Sequence, residues 1–73
     1  MPRLSHVSGA QVVRALERLG FQKVRQIGSH VVMKREPRGC VVPMPGEVKL
    51  GTLAGLLRQA EVSAEEFIQA LRT

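Results

Sequence analysis

The sequence predicts an α+β fold. It is a two-layer sandwich in the order α-β-β-β-α(-α), with a three-stranded antiparallel sheet and helices on one face. Three observations lead there. A capped, amphipathic segment opens the chain at residues 8–20. Three short β-prone runs, divided by turn signals, occupy residues 21–43. Two more helical patterns fill the last third. One face of such a sheet needs cover, and the helices supply it.

The first helix starts at Ser8, a good N-cap, with Gln11 three residues on at the capping-box spacing. Val7 and Val12 fall where a hydrophobic staple forms. Val12, Val13, Leu16 and Leu19 make the apolar stripe, and Gly20 is placed to end the helix in a left-handed conformation. The first strand runs to Ile27. Gly28-Ser29 is a hairpin signal, because Gly accepts the positive φ that a type II′ turn needs first. Residues 30–35 then alternate: His30, Val32 and Lys34 on one face, Val31, Met33 and Arg35 on the other. Which set faces the core stays open, since both carry a valine. "EPRG" reads as the second turn and 39–43 as the third strand. Pro43 and Pro45 lack donors, so "PMPGE" cannot extend the ladder. Leu53, Leu56, Leu57 and Ala60 carry the second helix. Ser63 and Glu66 open a third through another capping box, with Ala64, Phe67, Ile68 and Leu71 as its stripe.

With 73 residues, the chain suits one small domain, 1–73. Apolar residues make up 44%, which fits a globular fold, and the core is aliphatic because only Phe21 and Phe67 are aromatic. The single cysteine, Cys40, excludes an internal disulfide and a Cys-rich metal site. No secretory leader pattern and no membrane-length apolar run is present, so the expected location is the cytoplasm. The net charge is +5, unevenly spread. Residues 1–49 hold nine Lys/Arg against three Glu, a net of +6. That asymmetry points to an anionic partner, nucleic acid or an acidic protein.

His30 is the leading chemical candidate. An imidazole changes charge near neutral pH, and this one follows a tight turn at the start of a strand. Lys23, Arg25, Lys34 and Arg35 share its hairpin and are candidates to hold phosphates. Taken alone, Gly-Ser-His is a weak signal, and a plain strand-start histidine is the favoured reading of it. A metal site from His6, His30 and a Glu lacks any ligand spacing that supports it. Cys40 reads as a small buried hydrophobe. The chain has no aspartate, so a Ser-His-Asp triad is impossible. It also lacks a P-loop and a dinucleotide fingerprint. With almost no aromatics for stacking, RNA would be gripped through backbone and shape, or through Arg and His faces.

Four segments, "SGAQVVRALERLGF", "VRQIGSH", "VVPMP" and "LGTLAGLLRQAEVSAEEF", occur in this order from about Ser8 to Leu71. Together they resemble the HicA, or YcfA-like, family of toxins from bacterial toxin–antitoxin pairs. The resemblance implies a fold like the double-stranded RNA-binding domain. It implies an mRNA-cleaving ribonuclease that works without metal or cofactor and is neutralised by a HicB-type antitoxin. The family's catalytic histidine lies in its Gly-Ser-His motif, here His30; Ser29 beside it is a further candidate RNA contact. The chain departs from many relatives at three positions. Val31 and Pro45 stand where they often carry histidines, and Met33 where they carry an aromatic. These departures motivate an alternative, a non-catalytic RNA-binding module of the same fold.

Overall fold

The computed structural model describes residues 7–44 and 46–72. The chain runs β1 (Val7–Ser8), α1 (Gly9–Arg18), β2 (Gln22–Ile27), β3 (His30–Arg35), β4 (Arg38–Pro43), β5 (Glu47–Val48), α2 (Leu50–Ala60) and α3 (Ala64–Arg72). The expected α+β sandwich is present: β2, β3 and β4 form one antiparallel sheet in that order, and the helices cover one of its faces. One addition was not legible in advance. β1 and β5 pair antiparallel as a two-residue ribbon, Val7 opposite Val48 and Ser8 opposite Glu47. Two residues are too few to show a period of two, so the alternation signal is absent there.

The helix ends follow from their cap chemistry. Ser8 Oγ accepts the Gln11 N–H at 3.1 Å, and Gln11 Oε1 accepts the Ser8 N–H at 2.9 Å. Val7 and Val12 are both buried, which completes the staple. Gly20, at φ +96°, then ends α1 with the Gly20 N–H on the Glu17 carbonyl and the Phe21 N–H on that of Leu16. Ser63 and Glu66 repeat the capping box at α3, at 3.1 and 3.0 Å.

The core is one aliphatic cluster with two phenylalanines. Val12 and Leu16 of α1, Leu53, Leu56 and Leu57 of α2, and Phe67 of α3 meet Val31, Met33, Cys40 and Val42 of the sheet. This settles the open choice on β3: Val31 and Met33 face the helices, at 2% and 0% exposure, so His30, Val32 and Lys34 face away. Two of the departures, at Val31 and Met33, are therefore core positions. Pro45 and His6 lie outside the described residues.

Candidate functional site

His30 opens β3 directly after the two-residue turn. Gly28 sits at φ +57°, and a side chain there would meet no neighbour, so the turn needs glycine for its backbone angle and not for space. Two bonds hold the corner. Gln26 Nε2 donates to the Gly28 carbonyl at 3.2 Å, and the Met44 N–H donates to the Ser29 carbonyl across from the end of β4. The imidazole thus projects from a strand end braced on both sides. Its cross-strand partners are Ile27 on β2 and Pro43 on β4.

Partners across an antiparallel sheet share a face, and residues two apart on a strand do too. The open face can therefore be read off the register. Its first row is Ile27, His30 and Pro43. The next is Arg25, Val32 and Val41, and the third is Gln22, Lys34 and Gly39. Ile27 is 58% exposed and Val41 43%, and His30 and Arg25 are exposed as well. Neither the His30 nor the Arg25 side chain is held by a hydrogen bond or ion pair among the described residues. Lys34 reaches Glu36 at 3.8 Å, with both side chains largely exposed, a pair that solvent screens to a small contribution.

The five cations and polar groups considered from sequence separate here. Arg25 and Lys34 share the His30 face, and Ser29 lies in the turn beside it. Lys23 does not share that face. Strict alternation from Ile27 through Arg25 would put Lys23 on it, but a bulge at Val24 intervenes, and Lys23 instead opposes Met33 on the helix side. No residue type in "QKVRQI" marks that bulge. Arg35 also points to the helix side, where Nη1 donates to the Leu19 carbonyl at 2.9 Å and caps the C-terminus of α1. Cys40 opposes Met33 inside the core, and burial pushes its thiol up to about 11. It stays protonated at neutral pH and lies on the far side of the sheet from His30. Ile27, Val32 and Val41 were overlooked from sequence because their importance depends on which face is covered.

No three His, Cys or Glu side chains converge as metal ligands among the described residues. No described helix is long and apolar enough to cross a membrane. Two concavities lie away from this face, one lined by Gln11, Arg14, Arg18 and Leu71 and one around the β3–β4 turn. The His30 face is an exposed sheet face that carries Arg25 and Lys34 together with the aliphatic Ile27 and Val41.

This combination defines a small α+β domain with one exposed imidazole on an uncovered, cationic sheet face. The chain belongs to the HicA toxin family: the family profile described as "HicA toxin of bacterial toxin-antitoxin" matches residues 9–62. It is therefore a toxin of a toxin–antitoxin system, paired with an antitoxin. The match begins at the first residue of α1 and ends just past α2, so it spans the whole sheet and the His30 turn. No curated protein matches the chain.

Proposed function

We propose that this toxin is a metal-independent ribonuclease that cleaves mRNA in the cytoplasm, with His30 as its catalytic residue, and that a HicB-type antitoxin neutralises it. One observation carries the reading: an exposed histidine on a braced strand end, with Arg25 and Lys34 on the same uncovered face. RNA supplies its own nucleophile in the 2′-OH. Attack of that oxygen on the adjacent phosphorus breaks the bond to the 5′ oxygen and leaves a 2′,3′-cyclic phosphate and a free 5′-hydroxyl. Two proton transfers accompany this, one from the 2′-OH and one to the leaving oxygen. His30 carries out one of them, as base or as acid. Arg25 and Lys34 stabilise charge gathering on the phosphate.

The test is cleavage of RNA by purified protein with a chelator present, followed by the same assay on His30→Ala. Loss of a general acid or base removes about 10²- to 10⁴-fold in rate. Equal cleavage by the two proteins would sink the assignment. A substrate with a single 2′-deoxynucleotide should resist cutting at that bond alone. A second reading rests on a specific feature: the two rows nearest His30 contain no other imidazole and no carboxylate. A non-catalytic RNA-binding module fits that feature, and it predicts RNA retention without cleavage.

A further inference from the structure

The three-stranded sheet has two outer strands, β2 and β4, and they are protected differently. β2 carries Lys23 and Arg25 and is interrupted by the Val24 bulge, two devices that keep a strand edge from pairing. β4 lacks both along its middle. Its register with β3 is unbroken, its one charged residue is Arg38 at the start, and Val41 and Val42 are β-branched. One hydrogen bond fixes where its backbone groups point. The Met44 N–H donates to the Ser29 carbonyl, so this pair is joined through the backbone. Bonded and unbonded pairs alternate along an antiparallel ladder. Val31–Val42, Met33–Cys40 and Arg35–Arg38 are therefore bonded, while Gly39 and Val41 turn their N–H and carbonyl groups away from β3. Those groups meet no partner among the described residues. Pro43 points the same way, but Gly9 packs against its carbonyl, so the free stretch is 39–41. Val41 is 43% exposed, and Gly39 is partly exposed.

We infer that the outer edge of β4 is a docking site for the antitoxin, which adds an extended strand to the sheet there. The inference rests on the toxin–antitoxin pairing of the family and not on the ribonuclease reading. Hydrogen-bond chemistry selects a polypeptide as the occupant. The free edge alternates donors and acceptors, with equivalent residues about 7 Å apart, and another peptide strand supplies the matching row. Charge then separates the antitoxin from a second copy of the chain. Pairing β4 with another β4 brings two chains of +5 together, and neither strand holds a carboxylate. A foreign strand is free to carry one. Gly39 shares its row with Lys34 and puts no side chain between that lysine and the edge. An acidic residue of the added strand opposite Gly39 thus reaches Lys34, and an apolar one packs beside Val41. Two strand spacings, about 10 Å, separate the added strand from β3. The antitoxin is thereby held along the flank of the His30 face.

The experiment follows amide hydrogen exchange residue by residue in the His30→Ala chain, alone and co-purified with its cognate antitoxin. In the free chain the Cys40 and Val42 amides, bonded to β3, should exchange slowly and those of Gly39 and Val41 fast. The antitoxin should slow Gly39 and Val41 by at least about tenfold, as new hydrogen bonds do, and leave Gln26 on the outer side of β2 unchanged. Val41→Pro removes an outward N–H and no bond to β3. It should weaken antitoxin binding about three- to tenfold, the worth of one hydrogen bond, whereas Val41→Thr, which keeps the N–H, should bind like the parent chain. Unchanged exchange at Gly39 and Val41 in the complex overturns the proposal, and so does protection that falls on β2 instead. Equal antitoxin affinity in the proline and threonine variants does the same. Protection of Gly39 and Val41 that grows with the concentration of the free chain would assign the edge to a second copy. Equal protection by an unstructured oligoribonucleotide would assign it to RNA. Either result overturns the antitoxin strand, while the His30→Ala cleavage assay decides the ribonuclease reading separately.

Discussion

At the scale of single residues, two glycines make opposite demands on the same substitution. Gly9 opens α1 against the end of β4. A Cβ there would lie 2.5 Å from the Pro43 carbonyl oxygen and 2.6 Å from Met44 Cγ. The first of these is backbone and cannot swing aside, so Gly9→Ala must push the β4 end away from the helix. Overpacking of this kind costs about 1–3 kcal/mol. Pro43 is the row-mate of His30, and the Met44 N–H braces the Ser29 carbonyl, so the displacement reaches the site. Gly9→Ala is expected to lower the thermal midpoint and, under the proposed ribonuclease function, to reduce RNA cleavage with it. Gly55, inside α2, has open space where a Cβ would go. Gly55→Ala should therefore stabilise by about 0.5–1 kcal/mol, by restricting the unfolded chain and favouring helix. Denaturant unfolding of the two variants checks both signs. A sequence shows two glycines near helices and gives no hint of this difference, because only the packing places Pro43 against one of them.

At the scale of elements, α1 and α2 end in the same way with different residues. In α1, Gly20 takes the left-handed position. In α2, Glu61 takes it, at φ 57° and ψ 40°, with the Glu61 N–H on the Arg58 carbonyl and the Val62 N–H on that of Leu57. A residue with a Cβ is strained there, and glycine is not. Against this stands the Arg38–Glu61 ion pair at 3.6 Å, with side chains 43% and 66% exposed, which contributes little. Glu61→Gly is thus expected to raise stability by about 0.5–1 kcal/mol, a gain of a few degrees in midpoint for a domain of this size. A lower midpoint in a thermal melt would show that the ion pair outweighs the strain. These elements were legible wherever local chemistry specifies them: both capping boxes, Gly20, and the Gly28-Ser29 turn with its strand at 30–35. The β1–β5 ribbon and the Val24 bulge were not, since neither leaves a pattern in residue type. The bulge matters most, because it separates Lys23 from Arg25 and so decides which cation joins His30.

At the scale of the molecule, the covered face of the sheet is what turns a hairpin into a site. Alternation on β3 offered two equivalent answers, with a valine in each set. The burial of Val31 and Met33 against three helices chose one, and that choice exposes His30. The uneven basic charge was visible from composition, while its division between the open face and the helix caps was not. Helix packing also ties electrostatics to stability. The Arg18 guanidinium donates to the Ala70 carbonyl at 2.7 Å, joining α1 to the end of α3. At the start of α3, the Ser63 N–H holds the Glu66 carboxyl below the usual carboxylate range, with smaller help from the Ser63 hydroxyl and from Arg38 and Arg35. A lowered folded-state value means that the ionised cap favours the native state at neutral pH. That contribution is intact above the ordinary glutamate range and fades as pH falls through it toward the lower native value. Acidification also adds positive charge to a chain that is already +5, so self-repulsion acts in the same direction. Glu66→Gln separates the two effects. Its amide oxygen can still accept the Ser63 N–H, as Gln11 does for Ser8, but it does not titrate. The variant should keep a midpoint close to that of the wild type at neutral pH and lose less stability on acidification. Thermal melts from pH 7 down to about 3, across the glutamate range, test this. Parallel acid limbs in the two proteins would mean that repulsion alone governs acid unfolding.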